Sequence, residues 1–136
     1  MDKVLKDLKK LKNVYYETET CKLGEELEAT LRLLTSEEET EIHSYSAKFE
    51  QGIGYLYSIK RETLARAIVE LNGNKIPEIL EDEDDGKVQK HIWLREHVIK
   101  GWSQVLIDEM WQKYANLLVR IEKKIGVAIE EDKTKE

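Results

Sequence analysis

Ala67-Ile68-Val69-Glu70-Leu71-Asn72-Gly73-Asn74-Lys75-Ile76 decides how this chain is read. Two structures compete for it. In one, a helix begun at Tyr55 runs to Leu71, with Leu56, Ile59, Leu64, Ala67, Ile68 and Leu71 mostly on one face. Asn72-Gly73 then closes it, the glycine taking the left-handed backbone that ends many helices. In the other, residues 67–71 form a strand, Asn72-Gly73 is a two-residue hairpin turn and Asn74-Lys75-Ile76-Pro77 returns. The apolar face favours the helix, so a helix over residues 55–71 is expected.

Upstream, Leu27, Ala29, Leu31 and Leu33 alternate with Glu28, Thr30 and Arg32. A period of two marks a half-buried strand. Its expected partner is Val14-Tyr15-Tyr16-Glu17-Thr18, with Cys21-Lys22-Leu23-Gly24 as the turn, which predicts a short hairpin within residues 14–34. Thr35 and Glu38 then form a capping-box pattern, and Glu37, Glu38 and Glu39 suit the positive end of a helix dipole. A helix follows from about Ser36 to Phe49, ended by Gln51-Gly52-Ile53-Gly54. At the start of the chain, Val4, Leu5, Leu8 and Leu11 give residues 1–12 an amphipathic helix with lysines on the other side.

Downstream, Glu78, Glu81, Asp82, Glu83, Asp84 and Asp85 read as an acidic loop over residues 78–86. A helix is expected over 88–100, interrupted at Gly101-Trp102-Ser103. The next carries Ile107, Met110, Trp111, Tyr114, Leu117, Leu118, Ile121 and Ile125 at i, i+3, i+4, i+7 spacing. It ends at Gly126, and residues 126–136 form a polar tail. The expected architecture is therefore one mainly α domain over residues 1–136. It has four to five helices, a helical body over 36–125 and a short N-terminal β-hairpin.

A chain of 136 residues can build a core without metals or disulfides. Its 22 Lys and Arg against 28 Asp and Glu leave a charge of −6, which argues against general nucleic-acid binding, since phosphate neutralisation needs a basic surface. A single cysteine fits a reducing compartment. No apolar run is long enough for a membrane span, and the first residues lack the apolar stretch of a signal peptide.

Chemical motifs are few. Placing Gly86 at the sixth position of a calcium loop puts Glu81, Glu83 and Asp85 at the first three ligand positions, but Ile92 at the twelfth cannot ligate. His91 and His97 are six residues apart and face different ways, so they do not form a zinc pair. Nothing beside Cys21 activates it as a nucleophile. Glu62 and Arg66 at i, i+4 read as an exposed helix ion pair, and with Lys60 and Arg61 as a solvated face. No catalytic residue, metal ligand or cofactor is expected. Trp93, Trp102 and Trp111 lie nine residues apart, a spacing that turns each half-way round a continuous helix from the last. Trp111 fits the core stripe, and Trp102 opposes it as a candidate partner surface.

The order of segments adds a resemblance. Leu33-Leu34-Thr35-Ser36-Glu37-Glu38-Glu39 leads to Arg61-Glu62-Thr63-Leu64-Ala65-Arg66-Ala67-Ile68-Val69-Glu70-Leu71-Asn72-Gly73-Asn74-Lys75-Ile76. Arg95-Glu96-His97-Val98 and Val105-Leu106-Ile107-Asp108-Glu109-Met110-Trp111-Gln112-Lys113-Tyr114 follow. Over residues 27–122 this resembles the tail assembly chaperones of long-tailed bacteriophages and related baseplate-hub assembly proteins. The lysine-rich start and the acidic loop have no counterpart in that pattern. The resemblance implies a non-enzymatic assembly factor that binds a phage tail protein, the tape measure or a baseplate hub protein. It implies a homo-oligomer acting in the host cytoplasm, with the virion as the alternative location, and neither a membrane nor a nucleic acid as partner. The matching segments suggest Leu64, Ile68, Leu71, Trp111 and Tyr114 as partner-binding residues, joined by Trp102. Alternatives are a structural component kept in the virion, a small phage regulator that binds a host factor, and an enzyme of unrecognised type.

Overall fold

In the computed structural model, residues 1–6, 17–49, 52–82, 84 and 86–134 are described. The hairpin expected near the N-terminus is present, displaced along the chain. Strands β1 (Thr18–Leu23) and β2 (Leu27–Arg32) pair antiparallel, with Thr18 opposite Arg32 and Leu23 opposite Leu27. Cys21-Lys22-Leu23 is thus strand rather than turn, and the reversal falls at residues 24–26, where Gly24 takes a φ of +72°. Residues 14–16 lie outside the described residues. Of the expected N-terminal helix, residues 2–6 are helical and residues 7–12 lie outside the described set.

Helix α1 (Ser36–Ser46) starts where the capping box places it. The Thr35 hydroxyl accepts from the Glu38 backbone N–H, and the Glu38 carboxylate accepts from the Thr35 N–H. Helix α2 (Gly52–Ala67) is packed against α1 through Ser46 and Ser58, whose buried hydroxyls lie 2.8 Å apart.

The deciding stretch departs from the expected helix. The helix stops at Ala67, and β3 (Ile68–Leu71) and β4 (Asn74–Lys75) form a hairpin. Asn72 and Gly73 both take positive φ, +51° and +79°, as a tight primed hairpin turn requires. The physical reason lies in β2, whose outer edge needs a partner. β3 supplies it antiparallel, with Ala29 opposite Leu71 and Leu31 opposite Ile68, and a bulge between Thr30 and Leu31. Asn72 extends the ladder by a further step. Its N–H donates to the Glu28 carbonyl at 2.7 Å, and its side-chain oxygen accepts from the Glu28 N–H at 2.8 Å. The apolar periodicity of residues 64–68 does not distinguish helix from strand, because Glu62 through Ile68 are buried without a break.

The expected acidic loop carries two strands among its described residues. β5 (Ile79–Asp82) and β6 (Gly86–Gln89) pair antiparallel as a second, two-stranded sheet, with Leu80 opposite Val88. Helix α3 (Lys90–His97) continues directly from β6 and is shorter than the expected 88–100 helix. A 3-10 turn at Ile99–Gly101 follows, and then α4 (Gln104–Thr134), which runs past Gly126 where a polar tail was expected.

The architecture is therefore α+β and not mainly α. A four-stranded antiparallel sheet, in order β1-β2-β3-β4, is packed by α2 and α4, and the β5–β6 hairpin lies against α3. The core forms where the strand alternation meets the helical stripe. Ala29, Leu31 and Leu33 from the β2 side join Leu64, Ile68, Leu94 and Ile99, and α4 adds Ile107, Met110, Tyr114, Leu117 and Ile121. Among the described residues, no helix is long and apolar enough to cross a membrane.

Candidate functional site

Leu64 and Ile68 are fully buried and belong to the core, so they offer a partner no surface. Tyr114 is nearly as buried, and its hydroxyl oxygen accepts from the Leu34 N–H at 3.3 Å, which ties α4 to the end of the β2 segment. Burial pushes the Tyr114 phenol above its ordinary value, opposed in part by that hydrogen bond. Leu71 and Trp102 are half-buried against the core. Trp111 is different. It stands half-buried at the mouth of a cleft, its ring 6.0 Å from that of Tyr114.

This cleft lies between α1, α2 and α4 and has a volume of about 220 Å³. Its lining is mostly apolar: Ile42 from α1, Ile59 from α2, and Trp111, Ala115 and Leu118 from α4. Leu118 is 37% exposed although it lies on an otherwise apolar helix face. Glu39 and His43 supply polar edges. The His43 ring nitrogen lies 2.6 Å from the Tyr55 hydroxyl, which fixes α1 to α2 at that edge. Lys60 of α2 donates to Asp108 at 2.9 Å and joins it to the start of α4. The cleft walls are thus held by polar links between helices, while the surface between them is apolar. Such a surface can bury the side chains of a partner segment.

A second constellation was not foreseen. Glu62 and Arg66, expected on a solvated face, are 1% and 5% exposed. Glu62 accepts from Arg66 at 3.1 Å and from Arg95 at 2.8 Å, so one buried carboxylate holds two guanidinium groups. The Arg95 guanidinium also stacks over the Tyr45 ring, 4.6 Å from its centroid. Lys90, at the start of α3, is 3% exposed and donates to the carbonyls of Arg66 and Ile68 at 3.0 and 2.8 Å. Burial pushes its ammonium below the ordinary lysine value of 10.5, with the Glu78 carboxylate opposing the shift. Burial, reinforced by the Arg66 charge, likewise holds the His91 imidazole below 6.5. The sequence signal for the Glu62–Arg66 pair was its i, i+4 spacing. The residues that convert it to a buried cluster come from α3, and no local pattern announces them.

Among the described residues, no group of three or more His, Cys, Asp or Glu side chains is arranged to hold a metal ion. Compared with known protein families, with curated proteins and with solved structures, the chain matches none.

Proposed function

We propose that this protein is a non-enzymatic assembly factor that holds an amphipathic helix of a structural partner in the cleft between α1, α2 and α4. The observation that carries this reading is the cleft, where Trp111 and Leu118 remain open beside Ile42 and Ile59. A helix laid along such a groove inserts apolar side chains at i, i+3 or i+4, and i+7, and leaves its charged face to water. Of the residues that the sequence resemblance suggests for partner binding, Trp111 keeps surface for this role at the cleft. The resemblance supplies the class of partner, a phage tail protein such as the tape measure or a baseplate hub protein. It places the action in the host cytoplasm during tail assembly, with self-association of the chain.

The test is size-exclusion chromatography with light scattering, first on the chain alone and then with the tape measure or hub protein of the same genome. The expected results are a discrete oligomer alone and a shift into a larger complex with one of those proteins. Leu118→Lys is expected to abolish that shift while the circular dichroism stays unchanged. A chain that elutes unaltered with both proteins would overturn the proposal.

A further inference from the structure

Beside α1 lies a second, polar cavity of about 270 Å³, lined by Arg32, Arg66 and Lys90 and bordered by the carboxylates Glu38, Glu41 and Glu78. From its geometry we infer that this cavity is a binding site for a phosphate group, held by Arg66, Lys90 and the start of α3. This goes beyond the assembly reading and does not depend on it.

Three observations converge there. The first is Arg66. Its side chain is 6% exposed, and its Nε is buried with no hydrogen-bond acceptor among the described residues. This Nε lies 3.6 Å from the Glu41 carboxylate, too far for a hydrogen bond. A buried donor in that condition costs free energy until an acceptor reaches it. The second is Lys90. An ammonium carries three donors, and two are spent on the carbonyls of Arg66 and Ile68. Glu78 stands 4.0 Å from it, and the Glu38 carboxylate also acts on its charge. The third is the start of α3. Its N-cap is Gln89, which makes no side-chain capping bond, and the first turn contains no acidic residue. Gln89, Lys90 and His91 all line the cavity, so this helix start, whose Lys90 N–H donates to the Glu78 carbonyl at 2.8 Å, opens on it with its next N–H groups.

Three cations, Arg32, Arg66 and Lys90, face three carboxylates, Glu38, Glu41 and Glu78, and the two loosest carboxylates are the ones an anion would displace. Among the described residues Glu62 is the one fully buried carboxylate, and it is already shared between Arg66 and Arg95. Arg32 is held by both oxygens of Glu38 at 2.8 Å. Arg66 and Lys90 are left facing Glu41 and Glu78, whose side chains are 51% and 78% exposed and stand at 3.6 and 4.0 Å. Both carboxylates can turn into solvent at little cost. A phosphate dianion replaces their two charges with one group. Its several acceptor oxygens can meet donors from a guanidinium, an ammonium and a helix start together, which one carboxylate cannot.

The test is isothermal titration calorimetry at low ionic strength with inorganic phosphate and with glycerol 3-phosphate, and with acetate as the monoanion control. Wild type is expected to bind at least one phosphate ligand and not acetate. Tighter binding of inorganic phosphate identifies the free ion as the ligand, and tighter binding of the ester identifies a phosphomonoester. The double variant Glu41→Gln, Glu78→Gln changes exposed residues only and is expected to bind about tenfold more tightly, because the competing charges are gone. Lys90→Met is expected to weaken binding by about tenfold or more. Should neither phosphate ligand bind wild type or the double variant, the inference fails. It fails equally if acetate binds as well as phosphate, or if a folded Lys90→Met protein binds undiminished.

Discussion

Glu38 accepts from both terminal nitrogens of Arg32 at 2.8 Å and from the Thr35 backbone N–H at 3.0 Å. Burial alone would raise its carboxyl, but the Arg32 guanidinium and the Thr35 N–H outweigh it and hold the group below 4.5. Because the folded state binds its proton less readily than the unfolded chain, Glu38 adds stability above about pH 4.5. That stability is lost as the pH falls through the lower folded value. Denaturant titrations at descending pH are expected to show this acid loss in wild type and a shallower one in Arg32→Gln. Thr35→Ala removes the other half of the cap and is expected to lower stability by about 1 kcal/mol in urea unfolding. Glu62 is the more costly position. Glu62→Ala leaves Arg66 and Arg95 without their shared buried acceptor, and a loss of roughly 3–5 kcal/mol is expected by the same measurement. The capping box was legible because its residues are three apart in sequence. The burial of Glu62 was not, since Arg95 arrives from 33 positions away.

At the scale of elements, residues 67–76 show why a local pattern can be read two ways. Leu64, Ala67 and Ile68 are all fully buried, so the stripe that suggested a longer helix reflects burial on every side rather than helical period. The turn chemistry of Asn72-Gly73 was the better guide. Gly73 has φ +79° with nothing within 4 Å of the position a Cβ would take, so strain at this site comes from the backbone alone. Gly73→Ala is therefore expected to cost roughly 1–2 kcal/mol, read from the denaturation midpoint, without lost packing. The β5–β6 hairpin is masked in the sequence for another reason. Its strands are four residues each, and the acidic side chains between Glu78 and Asp85 outnumber Ile79, Leu80 and Val88. It is held from outside, by the Lys90 N–H on the Glu78 carbonyl at 2.8 Å and by His97 on Asp82 at 2.8 Å.

Across the whole molecule, the sheet and α4 close on each other through contacts between the two ends of the chain. Cys21 on β1 donates to the Ala29 carbonyl at 3.4 Å and lies 3.9 Å from the Met110 sulfur on α4. Burial pushes its thiol above 9.0, the Lys113 charge opposing. With 6% exposure and little thiolate, Cys21 is expected to resist alkylation in the native protein and to react at the rate at which the fold opens, measured by thiol labelling across a denaturant series. Arg120 and Lys124 on α4 reach Glu19 in the same strand and Glu17 just before it, and reinforce that closure. By itself the sequence determined the features that depend on neighbours a few positions apart. These are the alternation in β2, the capping box of α1 and the α4 stripe, whereas Asn72-Gly73 reads locally as either a helix end or a hairpin turn. Only the tertiary structure decided what those elements meet. The open edge of β2 drew residues 68–71 out of the helix, because unpaired strand hydrogen bonds are costly to bury. α3 turned an ordinary i, i+4 pair into a buried charge cluster, and the meeting of α1, α2 and α4 set which apolar side chains became core and which stayed at the mouth of a cleft.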